Sequence, residues 1–151
     1  MILIVAPNMV NAQTISTAGN KILDPCGQEI VLRGVNYAPF NWGYSPGSLS
    51  ISEIEKTGAN CVRLVWYSDS DPTSNLVYQD TAKLNEVLQA CMEHDLIPIL
   101  ELHDQTCTND YAALITLADW YLQDDVYTII KRYEHSMILN LFNEALHINW
   151  T

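Results

Sequence analysis

With 151 residues, 48% of them hydrophobic, the chain can bury one ordinary core, and nothing in its composition calls for a disordered or fibrous protein. Seven Lys and Arg stand against 18 Asp and Glu, and a net charge of -11 argues against broad contact with phosphate backbones or anionic membranes. The acidity is spread along the chain, so a neutral polar partner fits better than a polyanion.

Residues 1–12 read differently from the rest. Met1 to Val10 is apolar, and Val10-Asn11-Ala12 has small residues at both ends of a tripeptide, as at a signal-peptidase site, which makes Gln13 the expected mature start. No Lys or Arg precedes the apolar run, so the leader is incomplete as written, and the run is too short to span a bilayer. A buried first strand is the alternative.

Lys21 to Leu32 predicts a hairpin about the turn Asp24-Pro25-Cys26-Gly27. It leads into a short strand, Arg33 to Asn36, and then a loop rich in proline, glycine and aromatics, Tyr37 to Gly47, that contains Trp42. Ser50-Ile51-Ser52-Glu53 has the pattern of a capping box, with Ile51 and Ile54 inward and Gly58 after the helix. Asn60 to Trp66 is the next strand. A polar, aromatic loop follows, Tyr67 to Tyr78.

Leu84, Val87, Leu88 and Cys91 then fall on one helical face, with His94 near its end in a structural, dipole-compatible place. Leu96 to Leu102 is a strand whose alternation sets Ile99, Glu101 and His103 on one face and Leu100 and Leu102 on the other. Two more helical faces follow, Leu114, Leu117, Ala118 and Tyr121, then Val126, Ile129, Ile130 and Tyr133. Lys131, Arg132 and His135 crowd the second helix's end. Met137 to Phe142 is a last strand, and it runs straight into Asn143 and Glu144.

Strands alternating with helical crossovers predict an α/β protein with a parallel sheet, all strand carboxyl ends on one side. The hairpin should then cap the opposite, amino-terminal end. Asn36, Arg63, His103, Asn143 and Glu144 should converge, and Arg63, His103 and Asn143 are spaced at 40-residue intervals, the size of one strand-helix unit with long loops. In parallel folds that is where ligands bind, and in eight-stranded barrels where catalysis occurs.

A carboxyl group beside an amide, an arginine and a histidine, ringed by aromatics, suits polysaccharide hydrolysis. Glycosidic bonds break when one carboxylic acid protonates the leaving oxygen and a second carboxylate attacks the anomeric carbon or activates water. Glu144 is the candidate acid, and Asn143 can bond a sugar hydroxyl. Trp42, Trp66 and Trp150 fall just past strand ends, where a flat ring can lie under a sugar. Each has a plain alternative: Glu144 a solvated carboxylate, Arg63 and His103 satisfied interior groups, the tryptophans covers of the barrel's end. Glu144 and His147, with His103 and Asp104, form a weaker rival set as ligands of a hydrolytic metal.

Four stretches, Ile30 to Asn36 (I-V-L-R-G-V-N) after the D-P-C-G turn, Gly58 to Arg63 (G-A-N-C-V-R), Ile97 to Asp104 (I-P-I-L-E-L-H-D) and Leu139 to Glu144 (L-N-L-F-N-E), resemble glycoside hydrolase family 5. The β-mannanases and related endoglucanases are the nearest branch. That resemblance implies a secreted, retaining hydrolase of β-1,4-linked mannan or glucan, a (β/α)8 barrel of which residues 13–151 supply the hairpin and about four strands, and no cofactor or metal. Glu144 is similar to the family's acid/base, Asn143 to the asparagine before it, Arg63 to the arginine that bonds the nucleophile, and His103 to the histidine of that network. Asn36, Trp42, Trp66 and Trp150 are the expected substrate contacts.

Ala145 stands where many members have proline, which bears only on the subfamily. The family's nucleophile, a glutamate on the seventh strand, has no counterpart here: Glu101 is two residues deeper than His103, and Asp104 should point away. A fragment that binds sugar without cleaving it is therefore the alternative function. Cys26, Cys61, Cys91 and Cys107 allow three pairings in an exported protein, with buried thiols the plain reading; a bridge from Cys26 at the closed end to Cys107 at the open end is the least expected. Asn149-Trp150-Thr151 fits a glycan acceptor, but a glycan there would obstruct the cleft.

Overall fold

The structure is a computed structural model that describes residues 14–39, 48–68 and 81–145. The expected leader, most of the two aromatic loops, Trp42, His147, the possible acceptor Asn149 and Trp150 lie outside the described residues.

Two sheets organise the chain. The first is antiparallel, β1 (Ser16–Ala18), β2 (Lys21–Leu23) and β3 (Glu29–Ile30), in that order. Asp24 builds the β2–β3 turn, its Oδ1 accepting from the backbone N–H groups of Cys26 and Gln28, both at 2.8 Å. Gly27 completes it at φ +81°, a left-handed conformation that glycine adopts without Cβ strain. The β1 strand has no counterpart in the hydrophobic pattern, because S-T-A is short, polar and exposed. Backbone pairing to β2 alone defines it.

The second sheet is parallel, in the order β4 (Gly34–Tyr37), β5 (Cys61–Trp66), β6 (Ile97–Leu102), β7 (Ile138–Asn140). Helix α1 (Ser48–Glu55) connects β4 to β5, and α2 (Thr81–Glu93) connects β5 to β6. A longer connection to β7 holds α3 (Tyr111–Asp119), a short 3-10 turn (Trp120–Leu122) and α4 (Asp124–Tyr133). Strand and helix alternate as the periodicity requires.

The helix-facing rows of β5 and β6, Val62, Leu64 and Trp66 with Leu100 and Leu102, are buried with Ile51, Leu84, Val87, Leu88, Leu117, Val126 and Ile130 in one core. Helix α1 starts two residues before Ser50, so Ser50 lies inside it and is no N-cap. Its hydroxyl instead bonds Tyr37, while burial raises the phenol of Tyr37 above its ordinary pKa. His94 follows α2 and bonds Glu55 of α1 through Nδ1 at 2.7 Å, the structural role its placement indicates.

Close approach fixes where β4 meets β5. A Cβ on Gly34 would lie 2.2 Å from the Cys61 carbonyl oxygen, so only glycine fits that contact. Alongside, Asn60 accepts from the Arg33 N–H through Oδ1 at 2.7 Å and donates from Nδ2 to Val31 O at 2.9 Å, bonding the two strand entrances together. At the other edge Ile15 N donates to His135 O at 3.2 Å, and Ile15, Ser16, Thr17 and Ile22 line a cavity of about 410 Å³ with Met137 and Ile138. The hairpin sheet thus packs at the start of β7, the amino-terminal end.

Candidate active site

Strand register sets the site. Asn36 lies beside Arg63, Arg63 beside Ile99, and Glu101 beside Asn140, so in parallel strands their side chains share the face opposite the helices. At the carboxyl end His103 N donates to Trp66 O at 2.8 Å and Asn143 N to Leu102 O at 3.1 Å, extending the sheet past the last paired residues. Arg63, His103 and Asn143 therefore come together although 40 residues separate each from the next.

Their junction is Glu101, whose side chain is 0% exposed. It forms an ion pair with Arg63 through Oε2, receives Asn140 Nδ2 on the same oxygen at 3.2 Å, and meets His103 Nδ1 through Oε1 at 2.7 Å. A carboxylate out of water needs such compensation. Arg63 extends the network by donating from Nη2 to Asn143 Oδ1 at 2.8 Å, and Asn143 Nδ2 donates to Thr106 Oγ1 at 3.1 Å. Thr106 donates in turn to the His103 carbonyl at 2.8 Å. Tyr67 lies edge-on to the His103 ring, centroids 5.5 Å apart.

Glu144 stands just outside this network, exposed, at φ +46°. Its carbonyl accepts the Cys107 N–H at 3.1 Å, and its carboxylate lies 3.7 Å from the Cys107 thiol. Gln105 and Cys107 also have positive φ, at 57° and 62°, which marks this corner as a tight backbone arrangement. Asp104 points away from it, as expected, and is buried where it accepts from the backbone N–H and hydroxyl of Ser68 at 2.8 and 3.0 Å.

The geometry joins Arg63 and Asn143 directly and His103 through Glu101; Glu144 adjoins them through the backbone, and Asn36 is exposed next to Arg63. Trp66 requires a correction. Its position in the alternation of β5 is that of Val62 and Leu64, so its ring faces the helices at 1% exposure and offers no face to a sugar. All four cysteines are free, Cys61 and Cys91 buried, Cys26 and Cys107 exposed.

Partners for Glu101 and Asn140, and the places of Thr106 and Cys107 beside Asn143 and Glu144, go beyond a sequence reading that sets only Glu101 on the inward face and Cys107 at the open end. A signal existed for the first two: a carboxylate within I-L-E-L and an amide within L-N-L place polar groups in an apolar strand, where each must find a partner. For Thr106 and Cys107 no pattern of period two or 3.6 exists, because they sit in a loop.

A parallel sheet with an arginine, a histidine and an Asn-Glu pair gathered at its carboxyl ends has the layout of an α/β barrel, whose functional groups come from those ends. Residues 23–151 match the cellulase family (glycosyl hydrolase family 5), and the chain belongs to that family. A mannan endo-1,4-beta-mannosidase of Salipaludibacillus agaradhaerens is 29% identical over 126 residues, 83% of this chain and 39% of that protein. The mannanase catalytic domain from Streptomyces sp. SirexAA-E superposes with a TM-score of 0.75 at 26% identity, covering 93% of this chain and 44% of the other. The β-mannanase of Streptomyces thermolilacinus, solved with mannohexaose, gives 0.72 at 28%, covering 87% and 42%. These neighbours are (β/α)8 barrels, and the parallel sheet here is part of one. The chain spans less than half the length of each.

Proposed function

We propose that the protein containing these residues is a retaining endo-β-1,4-glycanase acting on mannan, with Glu144 as its acid/base. The observation that carries this is the Asn143-Glu144 pair at a strand's carboxyl end, its amide held by Arg63 at 2.8 Å. Mannan is favoured over glucan because a relative is named for mannan cleavage and a similar structure holds mannohexaose.

In this reading Glu144 protonates the leaving glycosidic oxygen and then, as carboxylate, removes a proton from the incoming water. Asn143, with Oδ1 committed to Arg63, offers the free N–H of its amide to a sugar hydroxyl. Arg63 holds the nucleophile's charge. That nucleophile is proposed to come from a later strand, because Glu101 is locked into its ion pair and Asp104 is held by Ser68. Asn36, Trp42 and Trp150 are the proposed sugar contacts.

The test uses protein from the complete reading frame, assayed on β-mannan and on soluble cellulose. Mannan hydrolysis should fall on the order of 10²- to 10⁴-fold in Glu144→Gln. Binding without cleavage by the unaltered protein would instead support a carbohydrate-binding module, and activity lost to chelator a metal-dependent hydrolase. Export is part of the proposal, resting on the apolar run and Val10-Asn11-Ala12. Amino-terminal sequencing of secreted material should begin at Gln13, and cell-retained protein still carrying Met1 would contradict it.

A further inference from the structure

The reaction outlined above gives the buried carboxylate of Glu101 no part. Glu101 sits at 0% exposure between two neighbouring strands and serves both Arg63 and His103. We propose that Glu101 is a positioning residue: its two carboxylate oxygens divide the work, Oε2 fixing Arg63 and Oε1 setting the tautomer of His103.

The argument is an accounting of donors and acceptors. Arg63 and the Asn140 Nδ2 group can only donate at Oε2, and an ionised carboxylate can only accept. At Oε1 the contact to His103 Nδ1, 2.7 Å, therefore requires the proton on Nδ1. Nε2, the ring atom turned away from Glu101, is left as an acceptor in the neutral ring. A carboxylate that orders a histidine in this way fixes both ring orientation and proton position. Arg63 in turn orients Asn143, so one buried group determines the direction of three functional side chains across β5, β6 and the end of β7.

A glutamine of the same shape changes one thing. It has one acceptor and one donor end. Arg63 and Asn140 claim the oxygen, which turns the NH2 towards His103 and forces Nδ1 to accept. The proton must then move to Nε2. Glu101→Gln thus inverts the tautomer without removing volume.

Long-range proton–nitrogen NMR of the histidine rings reads this directly in protein from the complete reading frame. The spectra are taken at about pH 8.5, above the ordinary imidazole range, with His103 assigned by its loss in His103→Gln. The expected result is an Nδ1–H ring in the unaltered protein and an Nε2–H ring in Glu101→Gln. The same tautomer in both, or Nε2–H in the unaltered protein, would overturn the proposal. If Glu101→Gln does not fold, the unaltered protein's tautomer still decides. The kinetic consequence alone rests on the glycanase reading: kcat should fall roughly 10- to 100-fold with KM little changed, and Glu101→Asp should recover part of it. A substrate that proves not to be a β-1,4-glycan would leave the NMR result standing, so the two failures are distinct.

Discussion

Burial divides the four cysteines into two pairs with opposite chemistry. Cys61 and Cys91 lie in the core, and burial raises both thiols, that of Cys91 up to about 12. Cys26 in the hairpin turn and Cys107 beside Glu144 are exposed. In native protein at mildly alkaline pH a thiol reagent should label Cys26 and Cys107 rapidly, and Cys61 and Cys91 only after denaturant is added. Labelling of Cys91 at the rate of Cys26 would contradict the burial. The same shift has a sign for stability. Because the folded state keeps Cys91 protonated where the unfolded chain ionises it, its contribution is intact below an ordinary thiol pKa of about 8.5. It is lost as pH rises from there towards about 12. Denaturant midpoints across that window should fall, in part from this thiol.

At the scale of elements, the site depends on how closely β4 and β5 approach. Gly34 is required because a methyl group would lie within 2.2 Å of the Cys61 carbonyl and 2.5 Å of its sulfur. Gly34→Ala must push the strands apart, with an expected loss of about 1–3 kcal/mol by overpacking, read as a lower denaturant midpoint. An unchanged midpoint would show that the strands yield freely. The strands and helices behind this contact were legible in the sequence, because period-two and 3.6-residue patterns such as Leu84, Val87, Leu88 and Cys91 report burial directly. The convergence of Arg63, His103 and Asn143 was legible for the same reason, since parallel strands put their ends together. Trp66 follows its parity with Val62 and Leu64 and not its place at the strand's end, which is why its ring joins the core. Alternation places Glu101 inward but too deep for a nucleophile, and that depth is what suits a carboxylate to holding Arg63 and His103. The α1 start escaped because S-I-S-E fits a cap and a helix interior equally well.

For the whole molecule, the sheet's outer strands define what these residues can do by themselves. Among the described residues, β4 and β7 each pair on one side only. Val35 and Leu139, in register with buried Val62 and Leu100, are 41% exposed, and Leu141 is 50% exposed. Apolar strand edges of this kind favour association. Residues 13–151 produced alone should therefore associate or melt without cooperativity at micromolar concentration, as sedimentation and thermal unfolding would show. A sharp melt of a monomer would contradict this.

Departure of a poor leaving group depends on a donated proton, and Glu144 is the proposed donor. A leaving group that needs no proton separates this role from every other. The measurement is the ratio of unaltered to Glu144→Gln activity on two substrates, mannan and a dinitrophenyl β-manno-oligosaccharide, taken in the first turnover with protein from the complete reading frame. The prediction is a large loss on mannan, on the order of 10²-fold or more, with the dinitrophenyl bond still cleaved at nearly the unaltered rate. Equal losses on both substrates would mean that Glu144 is not the acid.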